Sequence, residues 1–170
     1  MFDWLTATQP EPLNGPALET RHFTLRLSRN WRRESSHNPE QYLFGRSDGS
    51  ALTVIHTPWQ MDEPKLDEAA DRLLAARWQS IQRGLGQFSL EQVDVERRAT
   101  DYPGIEVRGH GRSIKLEYFC RFYALITSHV LINILVESPR SDDAHNLHRF
   151  GQVMEGFSLQ LRGGLPHLSR

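Results

Sequence analysis

The chain has 170 residues, the size of one ordinary domain, and its 38% hydrophobic and 24% charged content is that of a globular protein able to bury a core without metal or disulfide staples. Its 20 Lys and Arg against 21 Asp and Glu leave a formal charge of −1, so no global field draws it to nucleic acid or to an anionic membrane. Cys120 is the only cysteine, which excludes an intrachain disulfide, a CxxC metal site and a redox pair, and fits a reducing, cytoplasmic setting.

The opening MFDWLTATQPEP has no basic n-region and no apolar signal stretch, and no later run approaches the roughly 18 apolar residues of a spanning helix, so neither export by the usual signal nor membrane insertion is expected. Residues 1–21 read as an extended lead-in, because TATQPEPLNGPAL carries three prolines and a glycine without a period. A single α+β domain is expected over 22–160, followed by a frayed tail over 161–170. From His22, FTLRL alternates Phe23, Leu25 and Leu27 against Thr24 and Arg26, the period of a half-buried strand, with Trp31 as a plug at its edge. YLFGR and ALTVIHT flank SDGS, and Asp48-Gly49 supplies the positive φ of a hairpin turn. The period then changes. Leu66, Ala70, Leu73, Leu74, Trp78 and Ile81 recur at three- and four-residue steps between Pro64 and Gly84, which predicts an amphipathic helix.

Four further strands are expected in FSLEQVDVERR, GIEVRGHGR, IKLEYFCRFYALI and HVLINILVES, the last two forming a hairpin through Thr127-Ser128. A closing helix has Ser141 as N-cap, Asp142 and Asp143 in the first turn where the dipole favours them, and Leu147, Phe150, Met154 and Phe157 on one face. The hairpin pattern is the most informative. Leu116, Tyr118, Cys120, Phe122, Ala124 and Ile126 share one face, yet Phe119, Tyr123 and Leu125 put apolar bulk on the other; the partner strand repeats this with Val130, Ile132, Ile134 and Val136 against Leu131 and Leu135. Both faces need cover, which predicts an antiparallel sheet of six to seven strands sandwiched between helices.

That element order, opened by FTLRLSRNW and spanning about residues 22–158, resembles the PsbP-like α/β/α sandwich family. The family includes the photosystem extrinsic protein, a yeast Ran-binding release factor, DcrB-like bacterial proteins and adaptor chaperones of type VI secretion effectors. Its opening strand commonly runs into a proline and a glycine before the tryptophan, where this chain has Ser28, Arg29 and Asn30. The resemblance implies a protein-binding role without catalysis.

His145 and His148, at i and i+3 behind Asp142, could share a divalent metal; the alternative is a solvated polar face, since no third ligand stands at a recognised spacing. Cys120, mid-strand on an apolar side, reads as an inert core thiol rather than a nucleophile. No GxSxG, HExxH or phosphate loop is present, and GLG at 84–86 and GHG at 109–111 are too short for a dinucleotide fingerprint. Arg108, Arg112, Lys115 and Arg121 beside His110 could form an anion patch, but interleaved Glu106 and Glu117 favour cross-strand ion pairs. No catalytic residue, metal or cofactor is therefore assigned. The expected activity is protein binding in the bacterial cytoplasm, as a secretion-effector adaptor chaperone or an immunity protein; the opposing reading is a small-ligand binder or enzyme with a cleft between sheet and helix. The expected partner is an amphipathic or hydrophobic client helix or a second copy of the chain, docked on a sheet face carrying Phe119, Tyr123, Leu125, Leu131 and Leu135, with the loop of Trp59 and Met61 and the segment of Phe2, Trp4 and Leu5 as further candidates.

The two-histidine spacing leads to a first prediction: calorimetric titration of the tag-free protein with zinc gives no stoichiometric heat, because real sites need three or four protein ligands. Stoichiometric binding that disappears in His148→Ala would reverse that assignment.

Overall fold

In a computed structural model the described residues are 10–60, 65–68, 70–72, 75, 92–99, 104–113, 118–139 and 143–160. They form strands β1 (Ala17–Glu19), β2 (Phe23–Arg26), β3 (Arg32–Glu34), β4 (Gln41–Gly45), β5 (Ala51–Pro58), β6 (Gln92–Ala99), β7 (Gly104–Ser113), β8 (Tyr118–Thr127) and β9 (Val130–Ser138), a closing helix (Asp143–Glu155), and β10 (Phe157–Leu159). Seven strands make one antiparallel sheet in the order β3-β4-β5-β9-β8-β7-β6, and β1-β2-β10 make a second. Leu66 and Ala70 are buried residues of a helical segment, where the three- and four-residue period begins. Leu73, Leu74, Trp78 and Ile81 lie outside the described residues, as do Met61, Lys115, Leu116, Glu117, Ser141 and Asp142.

Local chemistry accounts for the connections. Gly49 has φ of 83°, and the Asp48 carboxylate accepts the Ser50 amide at 2.9 Å, which closes the β4–β5 hairpin. Between β8 and β9 the turn is Ser128-His129, one residue later than the pattern predicts. Its cause is Thr127, whose hydroxyl accepts the amides of His129 and Val130 at 3.1 Å each.

Register sorts the apolar side chains into two cores, because residues directly opposite in an antiparallel pair share a face. Tyr123 opposes Ile134 and Leu125 opposes Ile132; this face packs with Leu52 and Val54 of β5, with Phe23 and Leu25 of the small sheet, and with Phe150 and Val153 of the closing helix. Phe122 opposes Leu135 and Ile126 opposes Leu131; this face packs with Val107, Cys120 and Ala124 beneath Leu66 and Ala70. The sheet is therefore covered on both sides, by a helical segment on one and by the closing helix with the small sheet on the other.

Two expectations are corrected. Leu147 is 54% exposed, and the closing helix buries Asn146, Phe150, Gln152 and Val153 instead of a stripe through Leu147. Phe157 is not helical but pairs with Leu25 in β10. The short strands β1, β3 and β10 lie outside the anticipated set, three or fewer residues of pattern being too little to read; β1 brings part of the lead-in into the fold by pairing Leu18 with Leu25.

We predict that Phe150→Ala costs about 3–5 kcal/mol in chemical denaturation, whereas Leu147→Ala costs about 0.5 kcal/mol or less. Equal losses at the two positions would mean that the helix docks by its other face.

Candidate functional site

The surface expected to carry a partner is dismantled by register. Phe119, Tyr123 and Leu125 belong to the side of the closing helix, Leu131 and Leu135 to the opposite side, and all five are buried, Phe119 the least at 9% exposure. Odd positions of β8 oppose even positions of β9, so the five side chains cannot line one groove. Trp59 is half-buried against the Phe122 side; its indole Nε1 donates to the Thr127 carbonyl at 2.7 Å and its amide to His129 at 2.9 Å, so it caps the hairpin end of the core. Phe2, Trp4 and Leu5, like Met61, lie outside the described residues.

Register brings Arg108, His110, Arg112 and Arg121 of the basic patch to one face, that of Tyr123, but Arg108 and Arg121 are already engaged there by the protein itself. Arg121 is buried on the helix side, where its guanidinium donates to the Asp143 carboxylate at 2.7 Å and to Asn146 Oδ1 at 2.9 Å. Asn146 passes the contact on to the Ser138 hydroxyl at 2.9 Å, so this arginine ties the first turn of the closing helix to β8 and β9. Exposed Arg108 lies over the Tyr123 ring at 5.3 Å, and the Tyr123 hydroxyl donates to Glu106 at 2.8 Å. Cys120 is a buried thiol. His145 Nε2 stands 3.6 Å from Asp48 Oδ2, while His148 Nε2 is buried without a hydrogen bond, and among the described residues no three His, Cys, Asp or Glu side chains converge on a metal position.

The densest polar constellation lies where the lead-in crosses the domain. Arg46, one residue past β4, donates through Nη1 and Nη2 to the two oxygens of Glu11 at 3.0 and 2.9 Å. Arg149 of the closing helix donates to Glu11 Oε1 at 2.8 Å, and the Ser28 hydroxyl donates to Oε2 at 2.6 Å. The hydrogen bonds from Arg46, followed by those of Ser28 and Asn30, hold the Glu11 carboxyl far below the ordinary range against the opposing effect of burial. Asp48 faces both arginines from another side, at 3.5 Å from Arg46 and 3.3 Å from Arg149. Burial works against its charge, but the Ser50 donors and the two guanidiniums prevail and lower its pKa. The Arg46 guanidinium carbon lies over the Trp31 ring, 5.2 Å from its centre.

A second constellation joins the two sheets. His22 Nδ1 and His56 Nε2 are 2.8 Å apart, a hydrogen bond that needs one protonated and one bare nitrogen. Burial first, then Arg21 and His129, lowers the His22 pKa; burial and then His22 lower that of His56, with Glu40 opposing.

Neither constellation has a local sequence signature, since 11, 28, 46 and 149 are brought together only by the finished fold.

No protein-family model matches the chain, and no curated protein matches it. Among solved structures, the chain is similar to cyanobacterial PsbP (CyanoP) from Synechocystis, with a TM-score of 0.59 at 12% identity over 82% of this chain and 88% of that one. A crystal structure from Bacteroides thetaiotaomicron aligns with a TM-score of 0.48 at 9% identity over 84% of this chain; the match spans 46% of that longer protein. The fold is thus PsbP-like.

The histidine pair yields a pH prediction. Both groups have pKa values below the ordinary 6.5, so the unfolded chain takes up protons first on acidification, and the stability they contribute is present above 6.5 and lost as pH falls below it. Melting temperature is expected to drop between about pH 7.5 and about pH 5.5, a window clear of the carboxylates, with a smaller drop in His22→Gln. A rise on acidification, or an identical slope in the variant, would contradict it.

Proposed function

We propose that this chain is a non-enzymatic, cytoplasmic protein-binding module, of the kind that serves as a bacterial adaptor chaperone for a secreted effector or as an immunity protein. The reading rests on one observation, the way the domain holds a peptide. Residues 15–19 run alongside β2 and its continuation, where Gly15 donates its amide to Leu27 O at 2.8 Å, Leu27 donates to Pro16 O at 3.0 Å and β1 adds to β2, while Glu11, on the far side of bends at Leu13 and Gly15, enters a charged socket. A Cβ at Gly15 would run into the backbone of Ser28, so the segment is seated as closely as a strand allows. Backbone pairing supplies affinity and a seated side chain supplies selectivity, which are the two components of strand-type peptide recognition.

The client helix once expected on the sheet has no place there, because both faces are covered by the chain itself. Binding is assigned instead to the side where the lead-in, the turn after β2, the end of β4 and the closing helix meet. The similarity to CyanoP supports the architecture and carries no partner over to this chain.

Co-expression with the products of adjacent genes, followed by size exclusion with light scattering, tests the assignment. A complex of defined stoichiometry with one product is expected. Elution of the chain without any of them, together with a melting shift on a panel of metabolites, would favour the small-ligand class.

A further inference from the structure

We propose that Arg46, Arg149 and Ser28 form a carboxylate-binding site for an acidic residue in an extended peptide of a partner protein, and that Glu11 occupies this site in cis as a competing internal ligand. The inference rests on the protein-binding reading above and identifies the chemistry that the partner must bring. Three donors from three separate elements converge on one carboxylate, and that carboxylate comes from the lead-in that precedes β1. A bidentate guanidinium contact matches the planar fork of a carboxylate, and a second arginine from another direction fixes its orientation.

The socket does not depend on Glu11 for its shape. The Arg46 side chain is 6% exposed and is held over Trp31, while that of Arg149 is 11% exposed and donates to Gln152 Oε1 at 3.1 Å. Asp48 remains beside both guanidiniums when Glu11 leaves, so two positive charges face one negative charge and the vacated position is cationic. Donor capacity also exceeds what Glu11 uses: Arg149 Nε and Gln152 Nε2 are buried without a hydrogen bond, and Arg46 Nε has only the Asp48 carboxylate at 3.5 Å. A ligand with more acceptors than one glutamate satisfies more of this site. The neighbouring amide and carbonyl of Leu27, now bonded to Pro16 and Gly15, supply the pairing groups for an extended backbone.

Because Glu11 is tethered, it competes at an effective concentration in the millimolar range, and a peptide in trans must displace it. The full-length chain tests this with a fluorescein-labelled synthetic peptide of residues 8–20, TQPEPLNGPALET, as the probe. Anisotropy is expected to show binding about 10-fold tighter to Glu11→Gln than to wild type, with the gain lost when the peptide glutamate that corresponds to Glu11, and not the one that corresponds to Glu19, is replaced by glutamine or when Arg149→Ala is added. Gly15→Val, which lifts the lead-in off Ser28 and leaves Glu11 intact, is expected to give the same gain and provides a second route should Glu11→Gln fold poorly. Equal affinity for wild type and both variants, or binding indifferent to that peptide glutamate, would overturn the proposal. A socket that binds the peptide while no gene product forms a complex separates the two readings: the site stands and the adaptor role falls.

Discussion

The β8–β9 hairpin is buried on both faces, and most of the architecture follows from that constraint. Every residue from Phe119 to Thr127, and from Val130 to Val136, is buried. An antiparallel pair of this composition cannot end a domain; it must sit in the middle of one, with strands on both edges and a layer above and below. Strands β5 and β7 occupy the edges, the segment of Leu66 and Ala70 covers one face, and the closing helix with the small sheet covers the other.

Two polar side chains of this frame find partners in the covering layers. Arg121 interrupts the apolar face of β8 and is met by Asp143 and Asn146 at the start of the closing helix, which fixes where the helix begins its path across the sheet. Removing Asp143 and Asn146 would leave the buried Arg121 guanidinium uncompensated, whereas Asp143, 57% exposed, stays in contact with water. The His22–His56 contact plays the same part between β2 and β5, without charge at neutral pH. Two layers are thus registered by polar contacts and held by apolar ones.

The long elements were legible in the sequence because their periods are unbroken over eight or more residues; β5, β7, β8, β9 and the β4–β5 turn at Gly49 follow directly from pattern. The turn at Ser128-His129 was misplaced by one residue because Thr127, a good strand former, uses its hydroxyl to cap the turn instead. Assigning faces on β8 and β9 separately was reliable, but joining them into one surface required register, and there Tyr123 meets Ile134 rather than Leu135. Leu147 was misread for a related reason: Asn146 takes the buried position that hydrophobicity alone would give to its neighbour, because Arg121 and Ser138 satisfy its amide. The socket around Glu11 was not legible at all, since its members are separated by up to 138 positions and each one alone is an ordinary surface residue type.

The small sheet has a consequence for how the chain reaches its final state. Strand β2 is flanked by β1, which is synthesised just before it, and by β10, which follows the closing helix. During translation Phe23 and Leu25 therefore leave the ribosome without their second neighbour, and Arg26 lacks the Gly156 carbonyl that accepts its amide. The seven-stranded sheet has all its strands before β10 emerges, so the last step is the return of residues 157–159 to a strand made more than a hundred residues earlier. Such a closure has high contact order and is slow relative to hairpin formation. Until that return β2 presents an unpaired edge, the kind of surface to which another chain can pair.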